Sequence, residues 1–374
     1  MNSAPPRSVP FFNYPYVFVS HEEGFVNATK DVGRRGAFIM QKNLAEFEQN
    51  LARYTGARYA VGVANATDGL QMAFMAGGLK PGDEVIFCTH TMVATAASIH
   101  FAGGVPVPVE AGPDHLMDPA SIEAAITPKT KAICPTQLNG RTVNMTAIQE
   151  IARKHGLAVY EDAAQALGSK FKGQCAGTFG VGACISFYPA KILGCLGDGG
   201  AVLTNDDEVY RKLILLRDHG RNHDGEVVMW GFNSRLDNLQ AAYLDFQFKD
   251  YQKVIDRRRA IARLYRSRLE GMPGLRLPPG PDNDPDHFDV FQNYEIEAER
   301  RDELKAYLKD RGVGTLIQWG GKAVHQFRGL GFTQQLPFTE RLFTRLLMLP
   351  MNMSLTDEDV HYVCEVILDF YRRR

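Results

Sequence analysis

From about residue 36 to residue 204 the chain alternates short apolar runs with stretches of helical spacing, and this alternation restricts the possible folds more than any other feature. KNLAEFEQNLARYTG has the helical period and stops at Gly56, and YAVGVAN follows as a short strand. ATDGLQMAFMAGG is helical and ends at a double glycine, DEVIFCT is a strand, VATAASIHFAGG a helix and VPVPVE a strand. SIEAAI, TKAICPTQ, NMTAIQEIARKHG and LAVYEDAA continue as helix, strand, helix and strand, and ACISFYP and GAVLTN add two more strands. Strands separated by helices predict an α/β fold with a mainly parallel sheet covered on both faces. Such sheets bind ligands beyond the carboxyl ends of their strands. The residues at those ends are Asn65-Ala66-Thr67, His90-Thr91, Gln137-Leu138-Asn139 and Glu161-Asp162.

The alternation stops near residue 250. DYQKVIDRRRAIARLYRSRLEG is a long charged helix and LPPGPDNDPDHF a loop. NYEIEAE, DELKAYLKDRG, GTLIQW and DEDVHYVCEVILDFYRRR then predict strand, helix, strand and helix in a smaller α+β unit, with YRRR a solvated helix end. Residues 1–35, rich in proline and aromatics, read as an arm that packs on something else. The expected organisation is an N-terminal arm at 1–35, a large α/β domain at 36–250 and a small C-terminal α+β domain at 251–374, which suits a chain of 374 residues.

The net charge of −1 leaves no basic field to hold nucleic acid or anionic lipid, and RRRAIARLYRSR reads as a solvated helix face. No uninterrupted apolar run is long enough to span a bilayer, and prolines break VPFFNYPYVFV, which is not a secretory signal. The six cysteines form no CxxC pair. They predict reduced, buried thiols, no metal site and a cytoplasmic location.

Against this background the stretch CISFYPAKILGCLGDGG, residues 184–200, stands out, because it sets Lys191 among core-like residues. A nucleophilic lysine must be held partly dry so that its amine can lose a proton near neutral pH, and it needs a carbonyl partner. Ser186, five residues earlier, can donate to a phosphate, and ANATDGL offers Thr67 and backbone N–H groups at a helix N-terminus. Asp162 ends a buried strand, where a lone carboxylate needs a cation or several donors. Taken singly, Asp162 is a helix cap, GLGDGG a tight turn without dinucleotide-binding spacing, and Ser186 an ordinary strand serine. Taken together, a Schiff-base lysine, an aspartate for a ring nitrogen and a phosphate cradle describe pyridoxal phosphate.

EDAAQALGSKFKGQCAGTFGVGACISFYPAKILGCLGDGGAVLTND resembles the signature block of the DegT/DnrJ/EryC1/StrS family of pyridoxal-phosphate nucleotide-sugar aminotransferases, which have the aspartate-aminotransferase fold (fold type I). VANATDGLQMA is similar to its phosphate-loop segment and GFNSRLDNLQAA to the segment that reaches into the partner subunit's site. The likeness runs from about Gly36 to the C-terminus. It implies that Lys191 forms the Schiff base and is the catalytic base, that Asp162 keeps the ring nitrogen protonated, and that Gln165 lies near the phenolic oxygen. It also implies that Thr67, the Asp68 backbone and Ser186 bind the phosphate, beside Ala66, with Asn233 coming from the second subunit of a homodimer with shared active sites.

Three positions depart from the family's pattern. Met92 stands where an aromatic residue often stacks on the cofactor, with His90 a substitute; Ala66 replaces a common glycine; Leu167 replaces a frequent histidine. The lysine itself is kept, whereas relatives that carry histidine there are sugar dehydratases. The expected substrates are L-glutamate and a nucleotide-linked deoxysugar with a keto group at C3 or C4. Arg34, Arg35, Lys42, Arg221 and Arg235 are the candidates for the diphosphate. LIQWGGKAVHQF resembles the stretch lining the sugar pocket, which makes Trp319 and His325 substrate candidates, while Trp319 also reads as an interdomain core aromatic. The alternatives are a sugar dehydratase, a cyclitol aminotransferase and a non-catalytic regulator.

Overall fold

In the computed structural model, which describes residues 7–373, the alternating segments fold as an α/β unit. Residues 1–6 of the expected arm and Arg374 of the YRRR end lie outside the described residues. Two short N-terminal helices, α1 (Tyr14–Val19) and α2 (Glu22–Arg35), precede α3 (Lys42–Thr55). Then come β1 (Tyr59–Val63), α4 (Ala66–Ala76), β2 (Glu84–Cys88), α5 (Val93–Phe101), β3 (Val105–Val109), α6 (Pro119–Ile122), β4 (Thr130–Cys134), α7 (Met145–His155) and β5 (Ala158–Asp162). A small hairpin, β6 (Lys170–Phe171) and β7 (Gln174–Cys175), leads to β8 (Gly182–Ser186), β9 (Gly200–Thr204), α8 (Asp207–Arg217) and α9 (Asn238–Phe248).

The sheet order is β1-β9-β8-β5-β4-β2-β3. The pairs from β8 through β3 are parallel, and β9 runs antiparallel to both its neighbours. The central strands are buried along nearly their whole length and mostly apolar, as cover on both faces requires, with Glu161 and Asp162 the exceptions at the end of β5. One apolar cluster fills the space between the sheet and α4 with α8, and a second lies between the sheet and α3 with α9.

The smaller unit begins with α10 (Tyr251–Leu269) and contains β10 (Leu275–Arg276), β12 (Tyr294–Ala298) and β13 (Leu346–Leu349) in one antiparallel sheet, while β11 (His287–Phe288) pairs with the large unit's β6. Three helices complete the unit: α11 (Arg301–Asp310), α12 (Pro337–Phe343) and α13 (Asp357–Arg372). Its core is built from α10, α11, α13 and the sheet.

One expectation needs correction. GTLIQW is not a strand: Leu316 makes one bridge to Met348, and the chain then turns sharply where Trp319 and Gly320 take positive φ. The arm straddles both units of its own chain. Val9 bonds Gly312 and Gly314, whereas Phe25 of α2 packs against Tyr243 and Phe246 of α9. A Cβ at Gly24 would lie 2.0 Å from the Phe246 ring, so only glycine permits that approach.

Candidate active site

The carboxyl ends of β1, β2, β4 and β5 open into a cavity of about 530 Å³, and Lys191, Asp162, Thr67, Ala66, Ser186, Gln165, Met92 and Trp319 all line it. Lys191 sits on the irregular stretch between β8 and β9. Burial pushes its ammonium down to about 8, against the opposing pull of the Asp162 carboxylate. No other lysine, arginine or histidine lines the cavity among the described residues.

Asp162 ends β5 and is 7% exposed. Its Oδ2 accepts a 2.6 Å bond from the Thr95 hydroxyl, and its Oδ1 accepts from the Ala164 N–H (3.2 Å) and the Cys184 thiol (3.6 Å). Thr95 Oγ1 lies 2.7 Å from Thr91 Oγ1, which in turn accepts from Thr136 at 3.0 Å. Since Thr95 donates to the carboxylate and Thr136 to Thr91, all three hydroxyls point one way and end on Asp162. No cation lies within ion-pair distance of this carboxylate among the described residues. A buried carboxylate so arranged has acceptor capacity left for a protonated ring nitrogen.

The phosphate end is built by the turn from β1 into α4. Asn65 caps the helix, its side chain accepting from Asp68 N at 2.9 Å, a cap of about 1 kcal/mol. That bond occupies the Asp68 N–H, whereas the N–H groups of Ala66 and Thr67, at the first turn of the helix, are left uncapped. A Cβ at Gly200 would stand 2.6 Å from Asn65 C and 2.7 Å from Ala66 N, which explains the glycine opening β9. Ser186 Oγ accepts from Tyr188 N at 3.3 Å and keeps its hydroxyl proton for the cavity. Gln165 Oε1 is held by Asn139 N (2.9 Å) and Asn293 Nδ2 (3.3 Å), which leaves its NH₂ as the free end.

Met92 precedes α5 and is 53% exposed at the cavity edge. His90 is not its substitute: it is buried behind Trp319, ring against ring at 5.6 Å, and bonds the His115 carbonyl. Trp319 faces the cavity. His325 does not; it is fully buried between the Thr89 hydroxyl (2.8 Å) and Glu340 (3.0 Å). Arg235 is held by Asp218 at 2.7 Å, and Asn233 is exposed beside the same strand bridge, both outside this chain's cavity. Arg34, Arg35, Lys42 and Arg221 also lie outside it. Leu167 packs in the core under α3. The threonine chain went unnoticed in the sequence, although Thr91 and Thr95 stand one helical turn apart.

The cavity's donor set fits pyridoxal phosphate: a partly dry amine, a carboxylate without a cation, and two uncapped helix N–H groups beside two hydroxyls. Comparison with known proteins agrees. The sequence pattern of the DegT/DnrJ/EryC1/StrS aminotransferase family matches residues 20–368. The chain is 39% identical over 369 residues to a pleiotropic regulatory protein of Geobacillus stearothermophilus, covering 98% of this chain and 99% of that one. It is 42% identical over 344 residues to the dTDP-3-amino-3,4,6-trideoxy-alpha-D-glucose transaminase of Streptomyces venezuelae, covering 90% and 89%. The crystal structure of S. venezuelae DesV with a ketimine intermediate superposes with a TM-score of 0.94 at 36% identity, over 99% of this chain and 100% of that one.

Proposed function

The chain belongs to the DegT/DnrJ/EryC1/StrS aminotransferase family, and from that membership we propose that it moves an amino group from L-glutamate to the C3 or C4 carbonyl of a nucleotide-linked deoxysugar. It is a pyridoxal-phosphate-dependent sugar aminotransferase of the aspartate-aminotransferase fold. When bound, the cofactor supplies an electrophilic carbon and an electron-withdrawing ring. The chain's own residues do the rest. Lys191 Nζ would be the nucleophile and the proton carrier, able to accept a proton when neutral and to return it when protonated. Its position near pH 8 suits both duties. Asp162 holds the ring nitrogen's proton, and the threonine chain holds Asp162. Gln165 Nε2 would be the donor for the phenolic oxygen. The Ala66 and Thr67 N–H groups and the Thr67 and Ser186 hydroxyls would hold the phosphate, Met92 would pack against the ring, and Trp319 would border the sugar. The domain limits at residues 35 and 250 belong to the same reading.

The single observation that carries this reading is that, among the described residues, one cavity holds both its only lining cation, Lys191, and a carboxylate, Asp162, with no cation of its own. The remaining sites require a second copy. Met92 and Tyr188 stand exposed at the cavity edge, and Trp230 is 93% exposed on a hairpin rooted at Ser234, whose hydroxyl bonds Ala64 beside the phosphate turn. A homodimer would cover this face and bring Asn233 of the partner subunit to the phosphate.

The test is incubation of the holoenzyme with glutamate and a panel of dTDP-, UDP- and GDP-linked ketosugars. Formation of 2-oxoglutarate together with an aminosugar is expected. Ammonia release would indicate a dehydratase, and turnover of a cyclitol ketone alone the non-nucleotide alternative. No turnover with salt-dependent DNA retardation would favour a regulator, a reading to which the retained Lys191 is opposed.

A further inference from the structure

No helix or strand forms between Ser186 and Gly200, so the backbone polar groups around Lys191 need partners from elsewhere. Three glutamine side chains, two on α9 and one on the segment before β12, supply them at alternate residues. Gln292 donates from Nε2 to the Ala190 carbonyl and accepts at Oε1 from Ile192 N, both at 2.9 Å. Gln247 donates to the Gly194 carbonyl and Gln240 accepts from Leu196 N, again at 2.9 Å each. Only Gln292 grips the residues on both sides of Lys191.

Gln292 is itself held firmly. It is 7% exposed, and its backbone carbonyl and that of Phe291 both accept from Arg258 Nη1, at 3.1 and 3.0 Å. Arg258 is buried and has no carboxylate partner among the described residues; its guanidinium is spent on this strand of backbone. On the other side a Cβ at Gly140 would come within 2.6 Å of the Gln292 and Phe291 nitrogens, and Val290 N bonds the Gly140 carbonyl. The segment entering the small unit is thus clamped between α10 and the turn after β4, and it presents one carboxamide to the lysine loop.

We infer that Gln292 is a positioning residue for Lys191, fixing from both flanks where the amine enters the cavity, while Gln247 and Gln240 hold the remainder of the loop. This rests on Lys191 being the amine that bonds the cofactor. Both bonds need a group that donates and accepts on one planar end. Leucine offers neither and glutamate only the acceptor. The coupling also ties the small unit to the lysine, since Gln292 is two residues from β12.

The experiment compares holoenzymes of the wild type, Gln292→Leu, Gln292→Glu, Gln247→Leu and Lys191→Ala. Gln292→Leu should move the pH midpoint of the bound cofactor's visible absorbance by at least about 0.5 and lower kcat roughly tenfold to a hundredfold, with KM for the ketosugar nearly unchanged. Gln292→Glu, which keeps the Ile192 bond, should fall between it and the wild type, and it carries the test should the leucine variant not fold. Gln247→Leu should lower stability without moving the midpoint. An unchanged midpoint and kcat in the Gln292 variants, or an equal shift in Gln247→Leu, would overturn the inference. Borohydride trapping separates the underlying premise: if label fails to appear on Lys191 in the wild type, or the Lys191→Ala protein keeps the coloured adduct, the premise has failed and not the positioning role.

Discussion

An ordinary lysine holds its proton to about pH 10.4, whereas burial brings Lys191 down to about 8. In the cofactor-free protein, limiting amine reagent near that pH should therefore modify Lys191 ahead of surface lysines, and its labelling rate should climb as pH rises through about 8. Peptide mass spectrometry reads both, and a rate that merely tracks the exposed lysines would contradict the dry amine. Asp162→Asn keeps the volume and removes the charge; turnover should drop by on the order of a hundredfold or more, measured as 2-oxoglutarate formed. Thr95→Val removes the last donor of the hydroxyl chain and should cost about 1–3 kcal/mol in denaturant unfolding. Lys191, Asp162, Ser186 and Thr67 are legible in the sequence because strand ends announce themselves through periodicity. The full hydroxyl chain is not, since Thr136 joins Thr91 only through the order of strands in the sheet. Nor is the difference between Trp319 and His325, six residues apart on one quoted stretch, because positive φ at Trp319 turns one toward the cavity and leaves the other in the core.

At the scale of elements, the joint between the large and small units is polar and strained. Glu295 and Glu297 of β12 meet His115, which follows β3, at 3.2 and 3.3 Å; Gln318 donates to Glu295 at 2.7 Å and to Asn139 at 2.9 Å. His90 stands 3.5 Å from Glu295, and burial pushes it down, so the neutral ring adds no charge there. Arg276 and Arg345 reach Glu297 from outside at 3.3 and 3.7 Å. His115, Asn139, Phe291 and Trp319 all take positive φ here, an arrangement that costs energy at each and persists because the packing dictates it. Burial alone would pull His115 down, but the two carboxylates override it and hold the ring at about 9. Because the folded value lies above the unfolded one of about 6.5, this pair stabilises the fold fully below that pH and loses its contribution as pH rises through about 9. His115→Gln should accordingly lose roughly 3 kcal/mol at neutral pH and nearly none above the upper value. Denaturant melts across the range check this, and a constant difference would contradict it. The strands and helices of this region are visible in the sequence, but β13 is not, and His115 and Glu295 are too far apart in the chain for any local pattern to pair them.

At the scale of the whole molecule, the proposed reading asks for more than one chain's residues. Among the described residues the cavity has a single lining cation, Lys191, which that reading commits to the cofactor, yet a nucleotide sugar brings a diphosphate that needs cations or N–H donors of its own. Every arginine singled out for that duty lies off this chain's cavity, and Arg235 is already spoken for by Asp218. The hairpin that precedes Asn233 instead offers Val227, Val228 and Trp230 to solvent at 68%, 55% and 93% exposure, beside the phosphate turn. An exposed tryptophan of that extent is the residue type most often found at the energetic centre of an interface. Trp230→Asp should therefore weaken self-association by at least about 2 kcal/mol, roughly thirtyfold in Kd; sedimentation equilibrium is expected to show a dimer for the wild type and monomer for the variant. Cofactor affinity and turnover should fall with the dimer and return at high protein concentration, because each monomer keeps Lys191, Asp162 and the α4 N-terminus intact. A monomeric variant with full activity would mean that the phosphate and the sugar are held within one chain, and that Asn233 has no part in either.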